Sequence, residues 1–204
     1  MKKFELTTEF ITNALGKKLF RIKALVEFGS VKAGELGGYA EKEENISRDG
    51  NAWVSGDARV YGNAWVSGDA RVSGDARVYG NAWVSGDAWV YGDACVYGNA
   101  KVSGNAEVYG DTEVSGDALV SDNAEVSGDA DYALVKGFGT EFRCTTFYRD
   151  KNKKIMVNCG CFHGDLEAFR KQVKETRSGK IAKEYLMIAD LMEYHFTSED
   201  SSDE

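Results

Sequence analysis

Residues 52–63 read Ala52-Trp53-Val54-Ser55-Gly56-Asp57-Ala58-Arg59-Val60-Tyr61-Gly62-Asn63, and the phrase A-x-V-[SY]-G-[DN] repeats from there to about Tyr132. Valine stands at every sixth position from Val54 to Val126 without a gap or an insertion. A fixed period of this kind outranks local propensity as a guide to fold. Six residues advance a helix by about 1.7 turns, so the valines cannot form a helical stripe. They do suit strand alternation. Gly followed by Asp or Asn supplies a corner, because these residues accept positive φ. Each hexad is then a short strand plus a corner, with Val and Ala turned inward. Three such sides close a triangular coil of 18 residues, and parallel hydrogen bonding stacks coils about 4.8 Å apart.

The phrase resembles the hexapeptide repeat of left-handed parallel β-helix proteins. That resemblance, and not the spacing, implies the left hand. It also implies homotrimers, since most left-handed β-helices assemble as threes. The expected fold is mainly β, a left-handed parallel β-helix with an N-terminal β cap and a small C-terminal ββαα module.

The chain has 204 residues, no proline, four cysteines, two histidines and a net charge of −8. An acidic balance argues against generic nucleic-acid binding. No long apolar run spans a membrane, and Met1-Lys2-Lys3-Phe4-Glu5 lacks the apolar core of a secretory signal. Four cysteines without a dense disulfide pattern suit a reducing cytoplasm.

Residues 1–50 are read as the cap. Phe4 to Ile11 and Lys18 to Phe28 are expected to pair as strands across Asn13-Ala14-Leu15-Gly16, with Ile46 as a first inward position. Gly34, Gly37 and Gly38 fit no phosphate-binding fingerprint. Residues 51–132 form the helix proper. In residues 133–197, Thr140 to Arg149 and Lys154 to Cys161 read as two strands around Asp150-Lys151-Asn152-Lys153. Asp165 then caps a helix to about Arg177. A second helix follows Ser178-Gly179 and carries Ile181, Tyr185, Ile188 and Met192 on one side. Residues 198–204 are acidic and serine-rich, the composition of a disordered tail.

The stretches FRIKALVEFGSVKAGELGGYAEKEENIS and IMVNCGCFHGDLEAFRKQV, with the hexads between them, resemble hexapeptide-repeat proteins of phages, prophages and gut bacteria. The resemblance implies an origin and a bacterial host cytoplasm. It transfers no active site, because that family carries no agreed one.

Outward positions 18 apart stack into columns. On the first side the column is Trp53, Arg71, Trp89, Glu107, Glu125, beside Ser55, Ser73, Tyr91, Tyr109, Ser127. The second side has Arg59, Arg77, Cys95, Glu113, Asp131 beside Tyr61, Tyr79, Tyr97, Ser115. On the third, Trp65, Trp83, Lys101, Leu119 run beside a serine column. Early coils are aromatic and basic, and late coils are acidic. Trp53, Arg71 and Trp89 are spaced for guanidinium stacking on indole, and the tyrosines for a ring ladder.

The candidate ligand-binding residues are therefore Trp53, Arg59, Tyr61, Arg71, Arg77, Tyr79, Trp89, Tyr91 and Tyr97. They serve either a subunit interface or a cleft that stacks a base and meets a phosphate. The expected partners are further copies of this chain, a host protein or a nucleotide-like small molecule.

Catalysis is disfavoured. Family resemblance gives β-helix acyltransferases a histidine near the subunit interface and the related carbonic anhydrases three on zinc, and the hexads contain none. They also lack the long excursion loop of the acyltransferases and the ranked threonines of ice-binding β-helices. Neither a cofactor nor a metal is expected. The acidic corner Asp57, Asp75, Asp93, Asp111, Asp129 is explained by turn chemistry as well as by calcium. Cys144, Cys159, Cys161 and His163 are better read as core thiols than as a zinc knuckle. A thiol nucleophile with His163 as its base is weaker still. The expected role is non-catalytic binding, with phage counter-defence as one use. An atypical acyltransferase and a virion-associated structural protein are the alternatives.

Overall fold

The computed structural model describes residues 2–139 and 143–197. The expected tail, residues 198–204, and Thr140 to Phe142 of one expected strand lie outside the described residues. Strands β1 (Phe4–Thr12) and β2 (Lys18–Ala24) form an antiparallel hairpin, and β3 (Leu36–Ala40) continues it. Thirteen two-residue strands follow, from β4 (Trp53–Val54) to β16 (Glu125–Val126), and they build a parallel β-solenoid.

The coil repeat is fixed by register: Val54 pairs with Val72, Val60 with Val78 and Val66 with Val84. The valines from Val54 to Val126 are fully buried, with the alanines packed between them. Burying a valine stabilises by about 1.5–3 kcal/mol, so this single column dominates the core. Corner glycines are needed twice over. Gly68 has φ +67°, and a Cβ there would sit 2.9 Å from the Gly86 carbonyl oxygen one coil on.

The cap is more than a lid. β3 pairs in parallel with β5 (Arg59–Val60), so the second side runs from β1, β2 and β3 through β5, β8 (Arg77–Val78), β11 (Cys95–Val96) and β14 (Glu113–Val114) as one sheet. Ile46 takes the expected inward place and bridges Val66. β2 stops at Ala24 rather than reaching Phe28. The chain there turns, with Phe28 and Val31 exchanging backbone hydrogen bonds of 3.1 and 2.9 Å. This drives the Phe28 ring onto Trp53 and leaves Gly29-Ser30 overhanging the first side. Gly37 and Gly38 are packed rather than open: a Cβ on Gly37 would lie 2.5 Å from Ile22 Cγ1 and from the Val54 carbonyl.

At the other end stand four strands, two more than the sequence suggested. β17 (Tyr132–Phe138), β18 (Arg143–Arg149), β19 (Ile155–Cys159) and β20 (Phe162–Asp165) form an antiparallel meander. Helices α1 (Leu166–Thr176) and α2 (Gly179–Thr197) cover it. The Asp165 carboxylate caps α1 by accepting the Ala168 N–H at 2.8 Å. This module has its own core of Phe147, Val157, Phe169, Val173, Ile188 and Met192. Among the described residues no helix is long and apolar enough to cross a membrane.

The module meets the last coil through side chains and through one backbone hydrogen bond, from the Lys151 N–H to the Asn123 carbonyl at 3.0 Å. The Leu119 N–H donates to Thr146 Oγ1 at 3.0 Å, and Asn158 Nδ2 donates to the Leu119 carbonyl at 2.9 Å. The Ser127 N–H donates to Asp131 Oδ2 at 2.9 Å. Asp131 is thus a buried cap and not the outward member of the second-side column that the spacing suggested. The column breaks because the chain leaves the hexad path after Val126 through a short turn at Asp129–Asp131.

Candidate functional site

In-register stacking divides the nine candidate residues between two faces. Trp53, Arg71, Trp89 and Tyr91 belong to the first side; Arg59, Tyr61, Arg77, Tyr79 and Tyr97 belong to the second. The arginines of the second side therefore do not converge with the tryptophans of the first.

On the second side the tyrosines form the expected ladder. Tyr61, Tyr79 and Tyr97 stack at 5.0 Å with interplanar angles of 1° and 2°. Burial within the stack pushes the Tyr79 phenol up to about 12, helped by the neighbouring tyrosines, Cys95 and Glu113. Tyr97 donates its hydroxyl to Glu113 at 3.0 Å. On the first side Tyr91 donates to Glu107 at 3.3 Å and Tyr109 to Glu125 at 2.9 Å. The acidic late coils are the acceptors of these tyrosines, which gives the glutamates a structural role.

The first side carries the better-formed hollow. Beneath the Gly29-Ser30 turn lies a cavity of about 490 Å³ walled by Asn51, Asp69, Arg71, Asp87 and Trp89. It adjoins a second hollow of about 170 Å³ that reaches Glu35, Trp53, Ser55 and Ser73. Trp89 is 40 % exposed, and its indole N–H donates to Ser73 Oγ at 3.0 Å, which fixes the ring. Its ring leans on Tyr91 with centroids 4.5 Å apart. The Arg71 guanidinium reaches up to Ser30 Oγ at 3.4 Å.

Two expectations change here. Trp53 is only 6 % exposed, because Phe4 and Phe28 close over it edge-on; it forms the back wall of the smaller hollow rather than an open platform. The indole–guanidinium stack does not form either. Arg71 is drawn to the cap and Trp89 to Ser73 and Tyr91, while the cation–π contact of the solenoid's outer faces is Lys101 over Trp83 at 5.2 Å on the third side. On that third side Trp65 and Trp83 pack edge to face at 5.3 Å, both substantially exposed.

The residues that sequence reading missed are those of the cap turn and the corner. Ser30, Glu35, Asn51, Asp69 and Asp87 line the hollows, and nothing in the hexads marks them out. Asn51 donates its backbone and side-chain N–H groups to Asp69 Oδ1, both at 3.0 Å, which holds the corner carboxylate in place.

The cysteine cluster resolves into separate places. Cys159 faces Thr145, which donates to its sulfur at 3.1 Å. Cys144, one residue earlier on β18, therefore lies on the opposite face of the sheet from Cys159. His163 turns towards the solenoid, with Nε2 2.6 Å from Asp122 Oδ2 and 3.3 Å from the Tyr148 hydroxyl. Among the described residues no group of three or more His, Cys, Asp or Glu is gathered to hold a metal ion. At another corner Asn63, Asn81, Asn99 and Asp117 form a side-chain hydrogen-bond ladder of 3.2, 3.0 and 2.9 Å. In the Asp57 column the Asp57 carboxylate lies 3.5 Å from the Arg21 guanidinium, and the Asp75 backbone N–H donates to Gly92 O at 2.9 Å; the Asp129 side chain lies outside the described ones.

A comparison with curated proteins finds no match for the chain. A family model for the YdcK beta-solenoid repeat matches residues 52–68 and 70–86, which include Trp53 and Arg71, so this stretch is similar to that repeat.

Proposed function

We propose that this chain is a non-catalytic binding protein whose ligand-carrying surface is the first-side groove between the cap turn and Trp89. One observation carries the reading: the hollow is walled by residues from three separate stretches, Ser30, Asn51 and Arg71–Trp89, around an indole locked by its own hydrogen bond. Pre-organised concave sites with an aromatic wall and a few fixed polar groups are how small ligands are held. The ligand is a small molecule that presents a ring face to the Trp89 indole.

The proposal includes assembly into trimers, with Trp65 and Trp83 of the third side offered to a neighbouring copy. Those two exposed indoles also favour a second reading, in which the third side docks a host protein. Phage origin and a use in counter-defence enter this proposal through the family resemblance, and cytoplasmic location through that resemblance together with the sparse cysteines.

Native mass spectrometry of protein purified from cells, under gentle and then denaturing conditions, tests it. The expected result is three copies carrying a small molecule that Trp89→Ala protein lacks. A Trp89→Ala protein that retains the molecule overturns the groove assignment, and a bare monomer overturns both the ligand and the assembly.

A further inference from the structure

Resting on the groove reading above, we infer that the first-side groove takes an uncharged or amine-bearing sugar ring, and not a phosphate-bearing ligand. The charge facing the hollow decides the sign. Arg71 is its cation, set against the carboxylates of Asp69, Asp87 and Glu35. Behind the wall Lys3 adds a buried ammonium, but that group already donates to the Gly50 and Ala52 carbonyls and lies within the field of Asp49 as well as Asp69. The balance stays negative with or without that inner pair. A phosphate entering here meets net repulsion, which a partly desolvated site strengthens. Arg59 and Arg77, which a nucleotide site would recruit, stand on another face of the triangle.

The remaining chemistry matches a polyol. An indole face carries the negative lobe of the ring quadrupole, and the C–H face of a sugar presents positive hydrogen to it. Trp89 is exposed, and its orientation is set by Ser73. Around it are acceptors for sugar hydroxyls in the Asp69 and Asp87 carboxylates, a bidentate donor in Arg71, and groups of both kinds in Ser30, Ser55 and Asn51. Carboxylates accept hydroxyl donors through short charge-assisted bonds. An amine substituent would gain from the same negative balance, and an acidic sugar would lose.

The test is an array of immobilised neutral, amino and acidic oligosaccharides. Indole N–H magnetic-resonance titrations of the 15N-labelled protein then follow, with chitotriose, maltotriose and glucosamine as sugar probes and ATP as the anionic probe. At least one neutral or amino sugar is expected to move the Trp89 indole signal saturably, while acidic sugars and ATP leave it in place. Trp89→Ala should weaken that binding roughly tenfold or more and Asp87→Asn several-fold, whereas Trp83→Ala should not change it. Saturable movement by ATP with none by the sugars overturns the sugar assignment and leaves the groove standing. Sugar binding that survives Trp89→Ala overturns the groove itself, whatever Trp83→Ala does. Silence on the array and in every titration overturns the sugar assignment, and the bound molecule in the native protein then decides the groove.

Discussion

The two ends of the solenoid are closed by different means. At the amino end the backbone itself carries on: β3 lies on β5, and the Tyr39, Glu41 and Ser47 N–H groups donate to Ala58, Val60 and Val66. Phe4, Ile22, Ala24 and Val31 join the same core as the valines. At the carboxyl end the meander has a core of its own and lends Tyr148 to the solenoid core, and it meets the last coil through Thr146, Asn158, Asp131, His163 and one backbone hydrogen bond from Lys151 to Asn123. One end is an extension of the solenoid and the other a docked module. Edge strands need covering in either case, and the covering decides how the chain comes apart.

The largest effects should separate the two ends. Phe4→Ala removes a buried ring from the common core and is expected to cost about 3–5 kcal/mol, lowering the one transition seen by circular dichroism of the solenoid. Phe169→Ala should cost a similar amount but melt the meander and helices first, leaving the β-solenoid signal in place. A single shared transition in both variants would show the ends to be equivalent and sink the distinction.

Corners give the next largest difference. A Cβ on Gly104 would lie 2.7 Å from the Asp122 N, at φ +67°. Asp122 holds the same corner at φ +57° as a non-glycine, and its carboxylate meets His163 instead of another coil. Only the last coil has room for a side chain there. Gly104→Ala is therefore expected to destabilise by about 2–4 kcal/mol. Asp122→Gly should change stability by about 1 kcal/mol or less, because relieved backbone strain offsets a lost half-exposed ion pair. Urea denaturation of the two variants makes the comparison.

Side-chain caps come third. Lys3→Met leaves the Gly50 and Ala52 carbonyls without their donor, and Asn158→Leu does the same to the Leu119 carbonyl. Each is expected to cost about 1–3 kcal/mol, with hydrogen exchange rising at the affected end only.

The smallest effect is a pH dependence at the carboxyl end. Burial pushes the Asp131 carboxyl up, but the hydrogen bonds from Ser127 and the charge of Arg149 outweigh it and hold it below the usual range. A depressed folded-state value means stability that is complete above the unfolded value near pH 4. That stability is lost as pH falls through the folded value. Acid should loosen the carboxyl end in the wild type, and Asp131→Asn should be destabilised by about 1 kcal/mol at neutral pH while losing that acid sensitivity.

The solenoid was legible because one residue type at one spacing admits no other fold. Tyr61, Tyr79 and Tyr97 were legible for the same reason, since registry alone stacks them. Trp53 was not. Whether an outward tryptophan is open or covered depends on where Phe4 and Phe28 fold back, and no period encodes that. Asp69 and Asp87 look like every other corner, and the cap turn alone makes walls of them. β17 went unread because Ala133 to Phe138 is a short run interrupted by Lys136 and Gly137, and β20 because Gly164 and the capping Asp165 mask it. Asp122 was the one readable signal that went unused: it replaces a glycine kept at the same place in the earlier hexads.

The shared sheet of hairpin and solenoid also sets an order of assembly. The hairpin is made ahead of the hexads and offers a finished edge before any of them. Each further 18 residues then find their template already in place, next to them and never far along the chain. Growth of this kind can proceed during synthesis, one coil at a time. The meander and its helices are made after the hexads, so the open end is sealed only when the module has been translated.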